Sequence, residues 1–362
     1  MADANSIPKI ARYKPYYTEL EPERTYLWCS CGRGNAQPFC DGSHKKTNFK
    51  PVRYKPETKG EEVLYCGCKH TKTPPFCDGS HNDLLEDYPS DDPNSEENRA
   101  VPNVKLSSDP RAPLNGGCYV FSPDRAVLEE KGNLKYCSVI GPEFGAIYQS
   151  QFYFEANEGH SPFISFGDRD VVLFISEGEV DVTISGHSFI GQLHSGIYIK
   201  GNEVFSINNS SGDTVKFLAS ACPRADKPEW PEVMLDNFDT SQAERVVPLD
   251  PSQRQGMASR YFQMLVDKSV GSLVVTQFIG HIPLSKAEPH RHLYEEALII
   301  LTGKGCMWTE NLKTPVTAGD VIILPRKQIH SLEAKNEDGM LCLLYTSPSP
   351  RDATLSGMPS CG

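Results

Sequence analysis

The sequence predicts a mainly β protein, a small cysteine-rich module followed by two β-barrels. Three observations carry this. First, a sixteen-residue cysteine motif occurs twice near the start, as CSCGRGNAQPFCDGSH (Cys29 to His44) and CGCKHTKTPPFCDGSH (Cys66 to His81). Second, from about Cys118 short alternating stretches recur at regular spacing with glycine turns, the pattern of a sandwich or barrel. Third, VVLFISEGEVDVTISG (Val171 to Gly186) and ALIILTGKGCMWTE (Ala297 to Glu310) echo one another, and laying Gly178 on Gly303 gives a repeat of about 125 residues.

Composition bounds the function. At 362 residues, with 38% hydrophobic and 23% charged, the chain is long enough for two or three cores. A net charge of −11 argues against nucleic acid or an anionic membrane as partner. There is no apolar run of about 18 residues, so no spanning helix is expected. The start, MADANSIPKI, lacks a secretory or Arg-rich transit pattern, which predicts a cytoplasmic protein, with the mitochondrial matrix as alternative. Of the 12 cysteines, six lie in the two motifs and the rest are scattered, favouring metal-bound thiolates in a reducing compartment over disulfides.

Each motif has the form C-x-C-x8-C-x3-H. In an extended segment Cys29 and Cys31 face the same way, as do Cys66 and Cys68. Asp41 and Asp78 follow the third cysteine, where an N-cap would start a helix. His44 and His81 would then lie one turn past Cys40 and Cys77 on the same helix face. Three thiolates and an imidazole suit a structural zinc on spacing alone. The residues between the ligands resemble the CDGSH, or NEET, iron–sulfur family, C-x-C-x2-(S/T)-x3-P-x-C-D-G-(S/A/T)-H. The second copy carries Thr71 and Pro75; the first has Pro38 but Gly34 where Ser or Thr is usual. The resemblance covers about residues 8–84. It implies one [2Fe–2S] cluster per motif, held by Cys29, Cys31, Cys40 and His44 and by Cys66, Cys68, Cys77 and His81, in two halves packed as a pseudo-dimer. A histidine ligand makes the set less negative than four cysteines and raises the reduction potential.

Residues 1–83 are thus expected to form the cluster module. Residues 84–115, rich in Asp, Glu, Pro and Ser, read as a solvated linker, and Asp91, Asp92, Glu96 and Glu97 within it define no site. Barrels are expected over 116–225 and 253–341, joined by a linker over 226–252. The stretch CLLYTSPSPRD (Cys342 to Asp352), reverse-translated, resembles a transposase sequencing adapter. Residues 342–362 are therefore expected to be read-through, which would remove the last strand of the second barrel.

Within the second repeat, HRHLYEEALIILTG places His290, His292 and Glu296 at even positions of one expected strand, and GDVIILPRKQIH brings His330 after a Gly-x5-Pro turn. Here the sequence resembles the cupin superfamily, whose motifs read H-x-H-x3,4-E-x6-G and G-x5-P-x-G-x2-H, over about residues 118–341. Leu284 and Lys327 stand where that pattern has glycine. The resemblance implies double-stranded β-helix barrels and a divalent metal on His290, His292, Glu296 and His330. In the first repeat the same superposition puts Ser165, Gly167, Val171 and Phe205 (or Ser206) at those places, a set that holds no metal. His160, His187 and His194 are expected to face solvent or surface hydrogen bonds.

Three imidazoles and a carboxylate suit iron, manganese, nickel or zinc. The combination points first to an oxidoreductase in which the clusters, fed by an external reductase, supply electrons to a cupin iron acting on a small molecule with dioxygen. The alternatives are a manganese-dependent hydrolase or decarboxylase with a structural cluster module, and a non-enzymatic redox or pH sensor or cluster donor. The cupin barrels are the expected surface for any homodimer. The residues do not specify a catalytic group or substrate.

Overall fold

The computed structural model describes residues 6–87, 89–104 and 107–347. The chain divides into a small N-terminal unit and a larger one beginning at Pro89. Among the described residues no helix is long and apolar enough to cross a membrane.

In the N-terminal unit the two copies are interleaved. Strand Tyr16–Leu20 of the first copy pairs antiparallel with Glu61–Tyr65 of the second, and Tyr26–Trp28 of the first pairs with Val52–Tyr54 of the second. Neither copy closes a sheet alone, so the unit is a pseudo-dimer. Leu20, Tyr26, Trp28, Val63 and Tyr65 form its core, with Phe39 and Phe76 packed against it. The Tyr65 ring meets Phe39 edge-on at 5.5 Å and stacks on Phe76 at 5.8 Å, so aromatic contacts join the copies. The repeat extends to the backbone. Cys29 N–H donates to Pro38 O at 2.8 Å and Cys66 N–H to Pro75 O at 3.0 Å.

The larger unit contains two barrels, each a large sheet facing a small one. The first barrel's large sheet runs Val246–Val247, Gly196–Ile199, Asp170–Glu177, Val215–Cys222, Ser150–Ala156, Leu134–Ile140, Glu129–Lys131. The second barrel's large sheet includes, in order, Arg260–Val266, Thr276–Ile282, Met340–Ser347, Glu295–Thr302, Val321–Leu324, Tyr119–Phe121 and Arg111–Pro113. Period-two alternation divides the side chains. Along Asp170–Glu177, Val171, Leu173 and Ile175 fill the first barrel while Val172 and Phe174 point out of it. Along Glu295–Thr302, Leu298 and Ile300 fill the second, and Ala297 and Ile299 point out. The outward sets meet in a core between the two large sheets, with Tyr119, Leu265 and Leu343 among them. Each such fully buried side chain contributes about 1.5–3 kcal/mol.

Three expectations about organisation give way. Residues 84–115 are not an open linker. Ser90–Asp91 joins the small sheet of the second barrel beside Ser285–Ala287, and Arg111–Pro113 pairs with Tyr119–Phe121. Lys286, 2% exposed, forms an ion pair with Asp91 at 2.8 Å. Lys313 Nζ donates to Asn98 O at 2.8 Å from within the short helix Glu96–Ala100, capped by Ser95. The acidic composition reads as solvated because most of these side chains do face water; the attachment is made by backbone pairing and by the buried Lys286 with its half-exposed partner Asp91. Tyr119–Phe121, expected to open the first barrel, instead pairs with Val321–Leu324 of the second. In the segment 226–252, Val246–Val247 pairs with Gly196–Ile199. The adjacent Arg245, fully buried, grips Glu203 through both guanidinium nitrogens at 2.6 and 2.8 Å.

The strand Met340–Ser347 continues past Leu341, so the last strand of the second barrel is formed. It lies between Thr276–Ile282 and Glu295–Thr302 in unbroken register with the former. Cys342, Leu343, Leu344 and Tyr345 are all buried, as a central strand covered on both faces requires. Residues 348–362 of the expected read-through lie outside the described residues.

Candidate metal and cluster sites

The second barrel gathers three histidines at one point. His290 and His330 form an isolated antiparallel bridge, each N–H donating to the other's carbonyl at 3.0 and 2.9 Å. The expected single strand through His290, His292 and Glu296 is not formed. A bend at Leu293 and Tyr294 separates the two histidines from the strand that opens at Glu295. The bend keeps the ligands together because Lys327 N–H donates to His292 O at 2.7 Å. Lys327, standing where the cupin pattern has glycine, adopts the left-handed φ of 67° that the turn demands.

The ligand atoms of His290, His292 and His330 lie within 4.8 Å of one another. His290 Nδ1 donates to Glu288 O at 2.8 Å and His330 Nδ1 to Gln328 O at 2.9 Å, which makes Nε2 the unprotonated, metal-binding nitrogen of each neutral ring. Burial lowers His330 to about 4, and burial with its two imidazole neighbours lowers His292 well below the usual range, so both are neutral. Glu296 faces the same interior. Its Oε2 stands 3.5 Å from His292 Nε2 and is buried without a hydrogen-bond partner among the described residues. Burial pushes this carboxyl up to about 8. An unsatisfied carboxylate oxygen beside three convergent imidazoles fits a divalent cation, which would supply the missing positive charge.

Two residues here were not anticipated as functional. The Tyr294 ring stacks on His292 at 4.8 Å and 9°, fixing that imidazole. Glu295, on the face opposite Glu296, accepts N–H bonds from Ile147, Tyr148 and Gln149 at 3.0, 3.3 and 3.1 Å. Met307 and Trp308, on the neighbouring strand Lys304–Thr309, are buried, and Met307 belongs to the barrel core.

Among the described residues the first barrel gathers no such group. The bridge Ile164–Phe205 takes the place of His290–His330. One extra residue in the following turn moves the correspondence, so Ile164 and Phe166, rather than Ser165 and Gly167, stand where His290 and His292 do. Both join Val171 and Phe205 in one apolar core. His160 and His187 are exposed, the latter stacked on Phe238 at 4.1 Å; His194 is half-buried against Phe174 at 5.7 Å.

The two cysteine cages bring their donors together in pairs. Cys29 and Cys31 sulfurs lie 3.6 Å apart, and Cys40 Sγ is 3.0 Å from His44 Nδ1. In the second cage Cys66 and Cys68 are 3.5 Å apart and Cys77 is 3.4 Å from His81 Nδ1. Two separate pairs suit a two-iron cluster, which takes two ligands on each metal. The expected helix from cysteine to histidine is absent. Gly42 and Gly79 have φ of 94° and 82°, which stops a helix there. Asp41 accepts instead from the Ser43 hydroxyl and from the Asn35 and Ser43 backbone, and these bonds hold its carboxyl at about 2. His44 then sits in a 3-10 turn, Ser43–Lys46, and His81 precedes another, Asn82–Leu84.

The cages differ around their sulfurs. Gln37 Nε2 donates to Cys29 Sγ at 3.3 Å, and its counterpart in the second copy is Pro74. In the second cage the Lys69 and His70 amides donate to Cys66 and Cys68 sulfurs at 3.2 and 3.4 Å. The Cys66 thiol is lowered to about 6, chiefly by its bond with Cys68, while that same bond raises Cys68. His81 is buried and His44 half-exposed.

The fold and donor sets define a protein with two cysteine–histidine cages and, in a barrel, three histidines grouped so that they could hold a metal ion. Residues 9–45 and 47–82 match the iron-binding zinc finger of CDGSH type, and residues 282–345 match the cupin domain. The chain therefore joins a tandem CDGSH iron–sulfur module to cupin barrels. The mitochondrial CDGSH iron-sulfur domain-containing protein 3 of Mus musculus is 46% identical over 50 residues, 13% of this chain and 36% of that protein. The same-named protein of Homo sapiens is 46% identical over 48 residues, 13% of this chain and 38% of that one. The chain thus spans little more than a third of these curated relatives. Among solved structures, protein Ylba from E. coli superposes with a TM-score of 0.51 at 12% identity, covering 70% of this chain and 97% of that one. The putative glyoxylate induced protein from Pseudomonas aeruginosa gives 0.50 at 17%, covering 72% and 97%. At these identities the likeness is one of fold.

Proposed function

We propose that the chain is an oxidoreductase in which two [2Fe–2S] clusters supply electrons to a mononuclear iron in the second barrel, which acts on a small molecule with dioxygen. The observation that supports this reading is where the leash between the units is tied. Ser90 lies nine residues after His81 and pairs with Ala287, three residues before His290. At about 3.5 Å per residue the leash from His81 spans at most roughly 30 Å, and it ends on the strand that leads into the metal site. A leash of that length keeps its two ends at millimolar-range effective concentration, on the order expected for short linkers.

The residues divide the work. His290, His292, His330 and Glu296 hold the metal, and the Nδ1 bonds of His290 and His330 keep their rings from turning. Leu298, Met307 and Leu332 of the barrel core give the site a dry interior wall. The donor set also accepts manganese, nickel or zinc. Zinc is disfavoured because a tethered electron carrier serves no purpose for a metal without redox chemistry, and iron is preferred over manganese and nickel as the metal that histidine–carboxylate sites use with dioxygen. An external reductase charges the clusters, in a reducing compartment such as the cytoplasm or the mitochondrial matrix.

The test is metal analysis with oxygen uptake on protein bearing intact clusters. About five irons per chain are expected, four in clusters and one in the barrel, with uptake only when the clusters are reduced. Cys40→Ser with Cys77→Ser should abolish uptake and leave the barrel metal in place. Turnover that survives this pair, with manganese bound, would favour the hydrolase or decarboxylase. Normal clusters with no turnover of any candidate, unaffected by His290→Ala and His292→Ala, would favour a sensor.

A further inference from the structure

Lys69 is a buried cation that belongs to one cage by sequence and to both by position. It follows Cys68, as Gly32 follows Cys31 in the first copy, and both adopt left-handed φ, 70° and 67°. The two positions are not interchangeable. A Cβ on Gly32 would fall 1.6 Å from Lys9 O and 3.2 Å from Lys69 Cγ, so glycine leaves the space that the Lys69 side chain crosses. The lysine is 6% exposed. Its ammonium donates to Cys66 O at 3.0 Å and lies 4.8 Å from the Trp28 ring and 5.6 Å from Tyr16, both of the first copy. The Trp28 indole donates to the same Cys66 carbonyl at 3.0 Å.

No carboxylate among the described residues pairs with this ammonium, and an uncompensated buried cation is costly by several kcal/mol, in order of magnitude. The acidic groups in its electrostatic reach are the inner cysteines of both cages, Cys29 and Cys31 as well as Cys66 and Cys68, all of which would be thiolates as cluster ligands. A loaded cage is anionic and gains a further negative charge on reduction, so a fixed cation shared by the two favours the reduced form of each. We propose that Lys69 is a common counter-charge that raises the reduction potentials of both clusters. The inference rests on each cage holding a [2Fe–2S] cluster, and is independent of what the barrel does.

The experiment is a redox titration of the full chain, poised with dithionite and mediators and followed by visible absorption and by the spin signal of each reduced cluster. Lys69→Met and Lys69→Gln should each lower the reduced-to-oxidised ratio of both clusters roughly tenfold at a fixed potential, which for a one-electron couple is about 59 mV. Lys69→Gln keeps a donor for Cys66 O, and Lys69→Arg keeps the charge and should leave both potentials near those of the unaltered protein. A shift confined to one cluster, no shift, or equal shifts in the arginine and methionine variants would overturn the proposal. So would loss of clusters from both neutral variants with retention in the arginine variant, which would assign the charge to assembly instead. Absence of cluster absorption from the unaltered protein would instead remove the iron–sulfur reading itself.

Discussion

Lengthening the leash tests whether the cluster module serves the barrel. Glu86 and Asp87 are exposed, so a twenty-residue Gly/Ser insertion after Asp87 disturbs neither core. It takes the leash between His81 and Ser90 from nine residues to twenty-nine. Local concentration falls roughly as the −3/2 power of leash length, so encounter of the module with the barrel should become about sixfold rarer. The assay is stopped-flow mixing of protein having reduced clusters with dioxygen and substrate, following the return of oxidised-cluster absorption. In the unaltered chain the rate should not depend on protein concentration, because donor and acceptor share a polypeptide. In the lengthened chain it should be about sixfold slower. A rate unchanged by the insertion, or one that rises with protein concentration before it, would refute the idea that the leash delivers electrons.

Four further outcomes follow from the barrels. His330→Ala should weaken barrel metal binding by at least the tenfold to hundredfold that loss of a mere supporting partner costs, with cluster absorption unchanged, as read by metal analysis after dialysis. Chelator-stripped protein should lose stability relative to its Glu296→Gln variant as pH rises from about 4.5 to about 8, because burial raises Glu296 to about 8 and the unfolded chain ionises first, while the lowered His292 and His330 add the opposite slope to both proteins alike. The relative loss at pH 7 is about 3 kcal/mol, read by urea unfolding of both proteins; a stability difference that does not change with pH would contradict the assignment. Glu203→Gln should cost about 3–5 kcal/mol by leaving the fully buried Arg245 without its counter-charge, seen as a lowered thermal midpoint. Phe205→Ala should cost about 3–5 kcal/mol and leave metal content untouched, since that position fills a core rather than a site.

What could be read from the sequence follows from how locally each feature is encoded. The cage donors come from two sixteen-residue stretches, and the histidine pair with its glutamate from seven residues, so residue type and spacing identify them without a fold. His330 lies forty residues after His290 and was found through the glycine–proline turn that precedes it. Partnership across the chain left no such trace. The interleaved pairing of Tyr16–Leu20 with Glu61–Tyr65 cannot be told from two self-contained hairpins, because both bury the same alternating residues. Tyr119–Phe121 sits next in sequence to the first barrel, and nothing in Tyr-Val-Phe says that its hydrogen-bonding partner is Val321–Leu324. The Lys69 side chain was invisible for the same reason: a lysine after a cysteine reads as solvated until the neighbouring copy closes over it. The one-residue error in the first barrel arose in a turn, where superposing sheets by their glycines carries no information.

The apolar first barrel has a positional role that its lost ligands conceal. Metal ligands must be held to about half an ångström, and the bend at Leu293 and Tyr294 gives Glu296 no support from its own N-terminal side. That support comes from the other barrel. Three consecutive amides, Ile147 to Gln149, converge on the Glu295 carboxylate and fix the first residue of the ligand strand. Tyr148 also meets Arg326 Nη1 through its hydroxyl at 3.1 Å, while Arg326 Nε reaches back to Leu293 O. The bend before Glu296 and the turn before His330 are thus clamped by one loop that carries no ligand. Along the ligand strand, alternation then separates two tasks: Glu295 faces the first barrel and anchors, and Glu296 faces the second and binds. A barrel filled with Ile164, Phe166, Val171 and Phe205 suits this duty better than one with a polar cavity, because a close-packed core transmits the position of its loop without yielding.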